Sequence, residues 1–142
     1  MSLTSEQKQI VQTTFGQIPN ADQLAARFYT RLFEIDPTTQ VLFKHDMAAQ
    51  RMKLVQTLAV VVHGLEDFDS LVPAIQSLAR RHIGYGVNNA HWSSVGAALL
   101  WALQETFGTA YTSEVHSAWE ATYALITETA LAAAPVDEGD LS

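Results

Sequence analysis

The sequence contains no cysteine among its 142 residues. This absence excludes disulfides, thiolate metal sites, iron–sulfur clusters and any cofactor attached through thioether bonds. No run approaches the roughly 18 apolar residues of a membrane span, and the N-terminus lacks a basic segment followed by an apolar stretch. We therefore expect a soluble cytoplasmic protein that has no membrane partner.

Positive charge is also scarce, because 8 Lys and Arg face 15 Asp and Glu, for a formal net charge of −7. No window gathers enough basic residues to neutralise a run of phosphates, so nucleic acid is not an expected partner. Hydrophobic residues make up 48% of the chain, which is ordinary for a folded domain. We expect one domain over residues 1–134 and a mobile acidic tail over 135–142.

Several enzyme classes lack their motifs. The sequence has no H-E-x-x-H, no G-x-x-x-x-G-K-[ST] and no G-x-S-x-G. Gly84 and Gly86 lack the third glycine and the preceding strand of a dinucleotide-binding loop. Zinc proteases, P-loop nucleotidases, α/β-hydrolases and Rossmann dehydrogenases are therefore not indicated.

Apolar residues recur at spacings of three and four over most of the chain, which predicts an all-α protein of about six helices. One of these helices is very short, and this inequality favours a folded helical sandwich over a symmetric bundle. Gly108 is the expected stop of the long helix that begins at Asn88 or Asn89. The expected helix starts are near Thr4, Asp22 and Asp36, then after a polar corner from Lys44 to Met47, and near Ser70, Asn88 or Asn89, and Thr112 or Ser113.

One histidine, His82, ends an apolar stripe formed by Leu71, Ile75 and Leu78. The Leu78 carbonyl, one turn back, can accept a hydrogen bond from one imidazole nitrogen and leave the other nitrogen free for a metal. A core or surface histidine without a ligand is the alternative, and spacing alone does not decide between them.

Tyr29, Phe43, Gln50 and Leu54 come from three expected helices and form a second group. Tyr29 and Gln50 can both donate hydrogen bonds to a ligand. The alternative is that Tyr29 is an ordinary core tyrosine and Gln50 an exposed helical residue.

Five stretches, ARFYTRLFEIDPTTQVLF, AAQRMKLVQTL, LARRHIGYGV, HWSSVGAALLWALQETFG and SAWEATYALI, together resemble the haem domain of flavohaemoglobins and single-domain bacterial haemoglobins. The resemblance covers nearly the whole chain in order. It implies a globin fold, a three-over-three helical sandwich around one haem b. Without cysteine, this haem would be held non-covalently.

The resemblance also assigns roles to residues. His82 takes the position of the proximal iron ligand, and Tyr29, Gln50 and Leu54 take positions on the distal, ligand-binding side. Lys53 matches a position whose ammonium reaches a haem propionate. The residues expected to contact the cofactor are Phe43, Lys53, Leu54, Arg81, His82, Tyr85, Val87 and Val95.

Two positions depart from the family pattern. Flavohaemoglobins hold the proximal histidine against a tyrosine and a glutamate, whereas the matching residues here are Trp92 and about Ala134. An indole only donates hydrogen bonds, so it cannot anchor a carboxylate chain in the same way. This difference favours holding O2 over activating it.

The remaining histidines have no assigned role in the family pattern. His45 lies in the corner before the distal helix and could swing inward. We expect His63, His91 and His116 to be surface or packing residues.

The favoured function is reversible, high-affinity binding of O2, with NO and CO as further ligands, in a monomer or homodimer. The alternatives are a nitric oxide dioxygenase served by a separate reductase, a gas sensor acting through another protein, and a haem-free helical interaction protein.

Overall fold

The computed structural model describes residues 3–42, 46–84 and 89–141; within these ranges it describes no side chains at 41–42, 81–84, 89–90 and 132–141. The described residues are helical with short turns between the helices and contain no strand. The helices are α1 (Ser5–Gly16), α2 (Ala21–Ile35), α3 (Met47–His63), α4 (Phe68–Gly84), α5 (Asn89–Phe107) and α6 (Ser113–Leu141). Short 3₁₀ helices span Pro37–Leu42, Gly64–Asp67 and Gly108–Ala110.

Local capping residues explain several of these boundaries. Thr4 and Gln7 exchange hydrogen bonds of 3.0 Å in a complete capping box, as the sequence predicts. Thr112 accepts from the Val115 amide and so caps α6. Helix α4 begins at Phe68, two residues before the expected start near Ser70, and the Ser70 hydroxyl donates to the Asp67 carboxylate at 2.6 Å.

The helices pack as two layers. In one layer α5 contacts both α2 and α6; α1, α3 and α4 pack on this layer, and α1 and α3 also contact each other. Contacts of α1 with α6, α4 with α6 and α2 with α3 join the layers. Trp119 on α6 is 2% exposed and donates from its indole to the Thr14 hydroxyl on α1 at 2.9 Å, which fixes one of these crossings. The expected all-α sandwich is therefore confirmed.

The predicted boundary between the domain and its C-terminal tail is not tested by the structure. Helix α6 continues to Leu141, and its side chains from 132 onward lie outside the described part. The division into a domain over 1–134 and a mobile tail over 135–142 stays a prediction.

Gly108 ends α5 as expected, and its φ of +54° places it in the left-handed region. Gly108→Ala should lower the free energy of unfolding by about 1–2 kcal/mol, because a Cβ is disfavoured in this conformation. Urea unfolding followed by circular dichroism measures the change.

Gly16 provides the matched control, since it ends α1 and an added Cβ would meet no atom within 4 Å. Gly16→Ala should leave stability unchanged or raise it by up to about 1 kcal/mol. Equal losses in both variants would show that backbone conformation at Gly108 is not the cause.

Candidate functional site

Tyr29 lies on the inner side of α2, and its side chain is 8% exposed. Its ring packs against Phe28 and Phe33, with centroid separations of 4.9 and 6.0 Å. Its hydroxyl donates to the main-chain oxygen of Gln50 on α3 at 3.4 Å. The structure therefore brings the two expected ligand-binding positions together.

Burial gives the Tyr29 phenol a definite protonation state. Loss of solvation raises its pKa to about 12, so the phenol keeps its proton near neutral pH. The 3.4 Å separation from Gln50 is longer than the usual hydroxyl–oxygen distance of about 2.7–2.8 Å. A hydrogen bond of this length is weaker than one at the usual distance.

The first turns of α3 are attached to α2 at two successive residues. The Tyr29 bond reaches Gln50, and the Arg51 side chain forms an ion pair of 2.9 Å with Asp22 at the start of α2. Asp46 caps α3 by accepting from the Ala48 amide at 3.0 Å. The Gln50 side chain is half-buried. These contacts fix where the beginning of α3 stands relative to Tyr29.

Three other expected site residues have described side chains. Leu54 on α3 and Val95 on α5 are half-buried at the edge of the main hydrophobic core. Lys53 is exposed, as a residue that binds a polar group at the protein surface would be. Their contacts with a cofactor stay predictions.

Helix α3 packs unevenly on the other helices. Over the described ranges, α3 packs on α1 and α2, but no comparable packing joins it to α4 or α5. The apolar Leu54, Val55 and Leu58 in the middle of α3 are only partly buried, whereas Val61 and Val62 near its end are buried. The middle of α3 therefore presents apolar surface that the described protein leaves partly uncovered.

His82 stands in the last turn of α4, which ends at Gly84. The side chains of His82 and Arg81 lie outside the described part of the structure. The remaining expected residues fall wholly outside the described residues, and their roles stay predictions. They are Phe43, His45, Tyr85 and Val87.

Comparison with known proteins identifies the family. The family model described as Globin matches residues 26–130. The chain belongs to the globin family. A flavohemoprotein of Bordetella parapertussis is 30% identical over 125 residues, which cover 85% of this chain and 31% of the relative. Neuroglobin of Danio rerio is 30% identical over 112 residues, which cover 69% of this chain and 70% of the relative.

Solved structures show the same fold. An engineered carbene transferase built on a candidate nitric oxide dioxygenase of Rhodothermus marinus superposes with a TM-score of 0.86 at 23% identity, covering 99% of this chain and 100% of that one. A bacterial globin of Campylobacter jejuni gives a TM-score of 0.81 at 22% identity, covering 95% and 99%. The globin thus matches whole globin structures but spans only about a third of the flavohemoproteins that it resembles.

The described part of this globin has neither a membrane-spanning helix nor a cluster of metal-binding side chains. None of its helices combines the length and apolar character that crossing a membrane requires. Its described histidines and carboxylates do not form a group of three or more that could hold a metal ion.

Three histidines away from the predicted haem ligand have packing or surface positions. His63 is exposed and lies edge-on to Phe15, with ring centroids 6.3 Å apart. His91 is 8% exposed at the start of α5. His116 is half-buried, and its Nδ1 lies 2.8 Å from the Tyr111 hydroxyl.

Asp36, at the end of α2, caps the short helix that follows, as the sequence predicts, but sequence reasoning missed its link to Ser94 on α5. Its carboxylate accepts from the amide and the hydroxyl of Thr38 and, at 3.4 Å, from the hydroxyl of Ser94 on α5. The Thr38 hydroxyl is the main cause of a lowered Asp36 pKa; the charge of His91 and the Ser94 bond also lower it, while desolvation opposes them. This link joins the end of the Tyr29 helix to the start of α5.

Asp36→Asn should destabilise the globin near neutral pH and progressively less in acid. A carboxyl group with a lowered native pKa stabilises the fold while ionised, and this contribution is lost as pH falls through the native pKa. Urea unfolding at about pH 6 and about pH 3 should therefore show a gap between wild type and variant that closes at the lower pH.

Thr38→Val should reproduce part of this gap, because the Thr38 hydroxyl contributes most to the lowered pKa. A gap of the same size at both pH values would exclude ionisation of Asp36 as its origin.

Proposed function

We propose that this globin binds one haem b non-covalently, with His82 as the iron ligand, and reversibly binds O2 on the side of Tyr29 and Gln50. The buried, protonated Tyr29 phenol at the junction of α2 and α3 is the observation that carries the proposal. Membership of the globin family supports the cofactor assignment.

The described residues fit such a cofactor. The separation of α3 from α4 and α5 would receive the apolar ring, with Leu54 and Val95 beside it and Lys53 at the solvent side. His82 would hold the group from α4. Haem would supply an iron centre that coordinates a diatomic gas and changes oxidation state.

The protein's contribution is a hydrogen-bond donor in a partly enclosed apolar space. The Tyr29 hydroxyl is held near Gln50 by a long bond, so it can rotate to donate to a bound gas that carries partial negative charge. The Gln50 amide is a second possible donor from α3. Such a charge-assisted bond is worth about 1.5–3 kcal/mol, or about tenfold to a hundredfold in affinity.

Nitric oxide oxidation is a second candidate function, favoured by the similarity to flavohemoproteins over 85% of this chain. The matched part is about a third of those relatives, so turnover would require a reductase supplied by another protein or by chain outside this sequence. Trp92 replaces the tyrosine that the family pattern expects on the proximal side, and this replacement favours the O2-binding function.

His82→Ala should abolish the spectrum of an axial histidine or prevent haem retention, because this residue is the proposed ligand. Visible spectra of the reduced, O2-bound and CO-bound proteins test this. His63→Ala removes an exposed histidine elsewhere and should keep the wild-type spectra. Identical spectra for wild type and His82→Ala would refute the assignment.

Tyr29→Phe combined with Gln50→Leu should raise the O2 dissociation rate by about tenfold or more, because both donors are lost. Stopped-flow replacement of O2 by CO measures the rate. Gln56→Leu is the control, since Gln56 is an exposed amide on the same helix. A rate unchanged from wild type would remove Tyr29 and Gln50 from ligand binding.

A further inference from the structure

The residue just before the cap of α6, Tyr111, forms a hydrogen bond with a histidine near the start of that helix. Its hydroxyl lies 2.8 Å from Nδ1 of His116, and the two rings stand at 85° with centroids 5.5 Å apart. Because Thr112 caps α6, these residues occupy the two positions that often form an apolar staple at a helix start. Here the two side chains are instead a hydrogen-bond donor and a base.

Glu120, one turn further along α6, faces the other nitrogen of the imidazole. Its carboxylate lies 3.6 Å from Nε2 of His116. A carboxylate on this side favours the tautomer that carries its proton on Nε2, because the partner of one ring nitrogen sets which nitrogen is protonated. Nδ1 then presents a free lone pair, and the Tyr111 hydroxyl is the donor of the 2.8 Å bond.

The Tyr111 phenol keeps its proton near neutral pH. Burial, together with the charge of Glu120, raises the pKa of Tyr111 to about 12. Removal of an electron from this residue therefore requires the proton to leave as well. A base 2.8 Å away is within the distance of direct proton transfer and provides a place for that proton.

The phenols of Tyr29 and Tyr123 are also largely buried, but they donate to main-chain oxygens. Tyr29 donates to Gln50 at 3.4 Å, and Tyr123 donates to Trp92 at 2.5 Å. Burial raises the pKa of each of these phenols to about 12 as well. An amide oxygen accepts a hydrogen bond but does not hold a proton near neutral pH. The described contacts therefore distinguish Tyr111 from both by the base that its hydroxyl bonds.

We propose that Tyr111 is a redox-active tyrosine: an outer-sphere one-electron oxidant in solution removes an electron from its phenol while the phenolic proton moves to His116. Tyr111 gives up the electron, His116 accepts the proton, and Glu120 is a positioning residue that acts through the imidazole. This inference goes beyond the proposed function, because it uses neither haem nor the Tyr29 side of the protein.

The step balances within the cluster of Tyr111, His116 and Glu120. The phenolic O–H bond breaks, an N–H bond forms at Nδ1, and the electron reduces the oxidant, which leaves a neutral phenoxyl radical and an imidazolium. The new positive charge stands 3.6 Å from the Glu120 carboxylate, which stabilises it. The imidazole side chain is 43% exposed, so a small oxidant in solution can approach the cluster directly.

Photochemical oxidation of the haem-loaded ferric protein tests the proposal. A laser flash on ruthenium(II) tris-bipyridine with persulfate generates the ruthenium(III) oxidant at about pH 8, where neutral imidazole acts as a base. The decay of ruthenium(III) gives the rate, and electron paramagnetic resonance of freeze-quenched samples identifies the radical. We expect a phenoxyl radical and a rate that falls in heavy water, because electron and proton leave together. Tyr111→Phe should remove this radical.

His116→Asn is the decisive variant, because an amide oxygen near the position of Nδ1 keeps a hydrogen-bond acceptor but cannot hold the proton. The Tyr111 oxidation rate should fall by about a hundredfold, which is within the contribution of a positioned base. Glu120→Gln should lower the same rate by about two- to fivefold, since an exposed ion pair is weak.

Tyr123→Phe is the matched control. It removes a phenol whose hydroxyl bonds a main-chain oxygen, so the rate and the radical should stay as in the wild type. Thermal unfolding of each variant, followed by circular dichroism, reports stability separately. A bond with a merely structural role would change stability in His116→Asn and leave the rate and its isotope effect unchanged.

The outcomes are distinguishable. A rate and isotope effect unchanged in His116→Asn, or a radical that survives in Tyr111→Phe, would overturn the redox role. Neither result bears on haem binding by His82, which the visible spectra test on their own.

Discussion

The packing of α2 between α5 and α3 is the constraint on which the site depends. Leu24, Ala25, Phe28 and Leu32 on α2 are each at most 3% exposed, and the main partner helix is α5. On α5, Ala98 and Ala102 are fully buried, and their small side chains allow two helix backbones to approach closely. Since α2 cannot shift without opening this contact, Tyr29 projects from a rigid base.

That rigidity explains how α3 can be held at both ends and stay partly uncovered between them. The Tyr29 hydroxyl and the Asp22–Arg51 ion pair attach its first turns to α2, and the buried Val61 and Val62 anchor its last turns in the core. Between these attachments, Leu54, Val55 and Leu58 are only partly buried. An exposed ion pair contributes little to stability, so here it serves mainly to select the position of the helix.

Local signals in the sequence predicted most of the fold. The Thr4–Gln7 capping box and Gly108 marked helix ends because their side chains, or the lack of one, act within a single turn. The closeness of Tyr29 and Gln50 followed from family resemblance. That the phenol bonds the main-chain oxygen of Gln50 depends on the relative placement of two helices, and no local pattern encodes that placement.

The pairs Asp36–Ser94 and Trp92–Tyr123 were unpredictable for the same reason, since 58 and 31 residues separate their members. In each pair a polar group at the end of a helix bonds a partner on another element, and helical periodicity contains no information on such contacts.

Both pairs converge on the first turns of α5. This segment therefore receives polar restraints from α2 and from α6, while its Trp92 adds an apolar contact with α4. If His82 holds a haem, its surroundings on the α4 face are set by packing against an indole where the family pattern has a tyrosine that holds a glutamate. Packing of this kind fixes position without adding negative charge, and this is the condition that favours holding a gas over reacting with it.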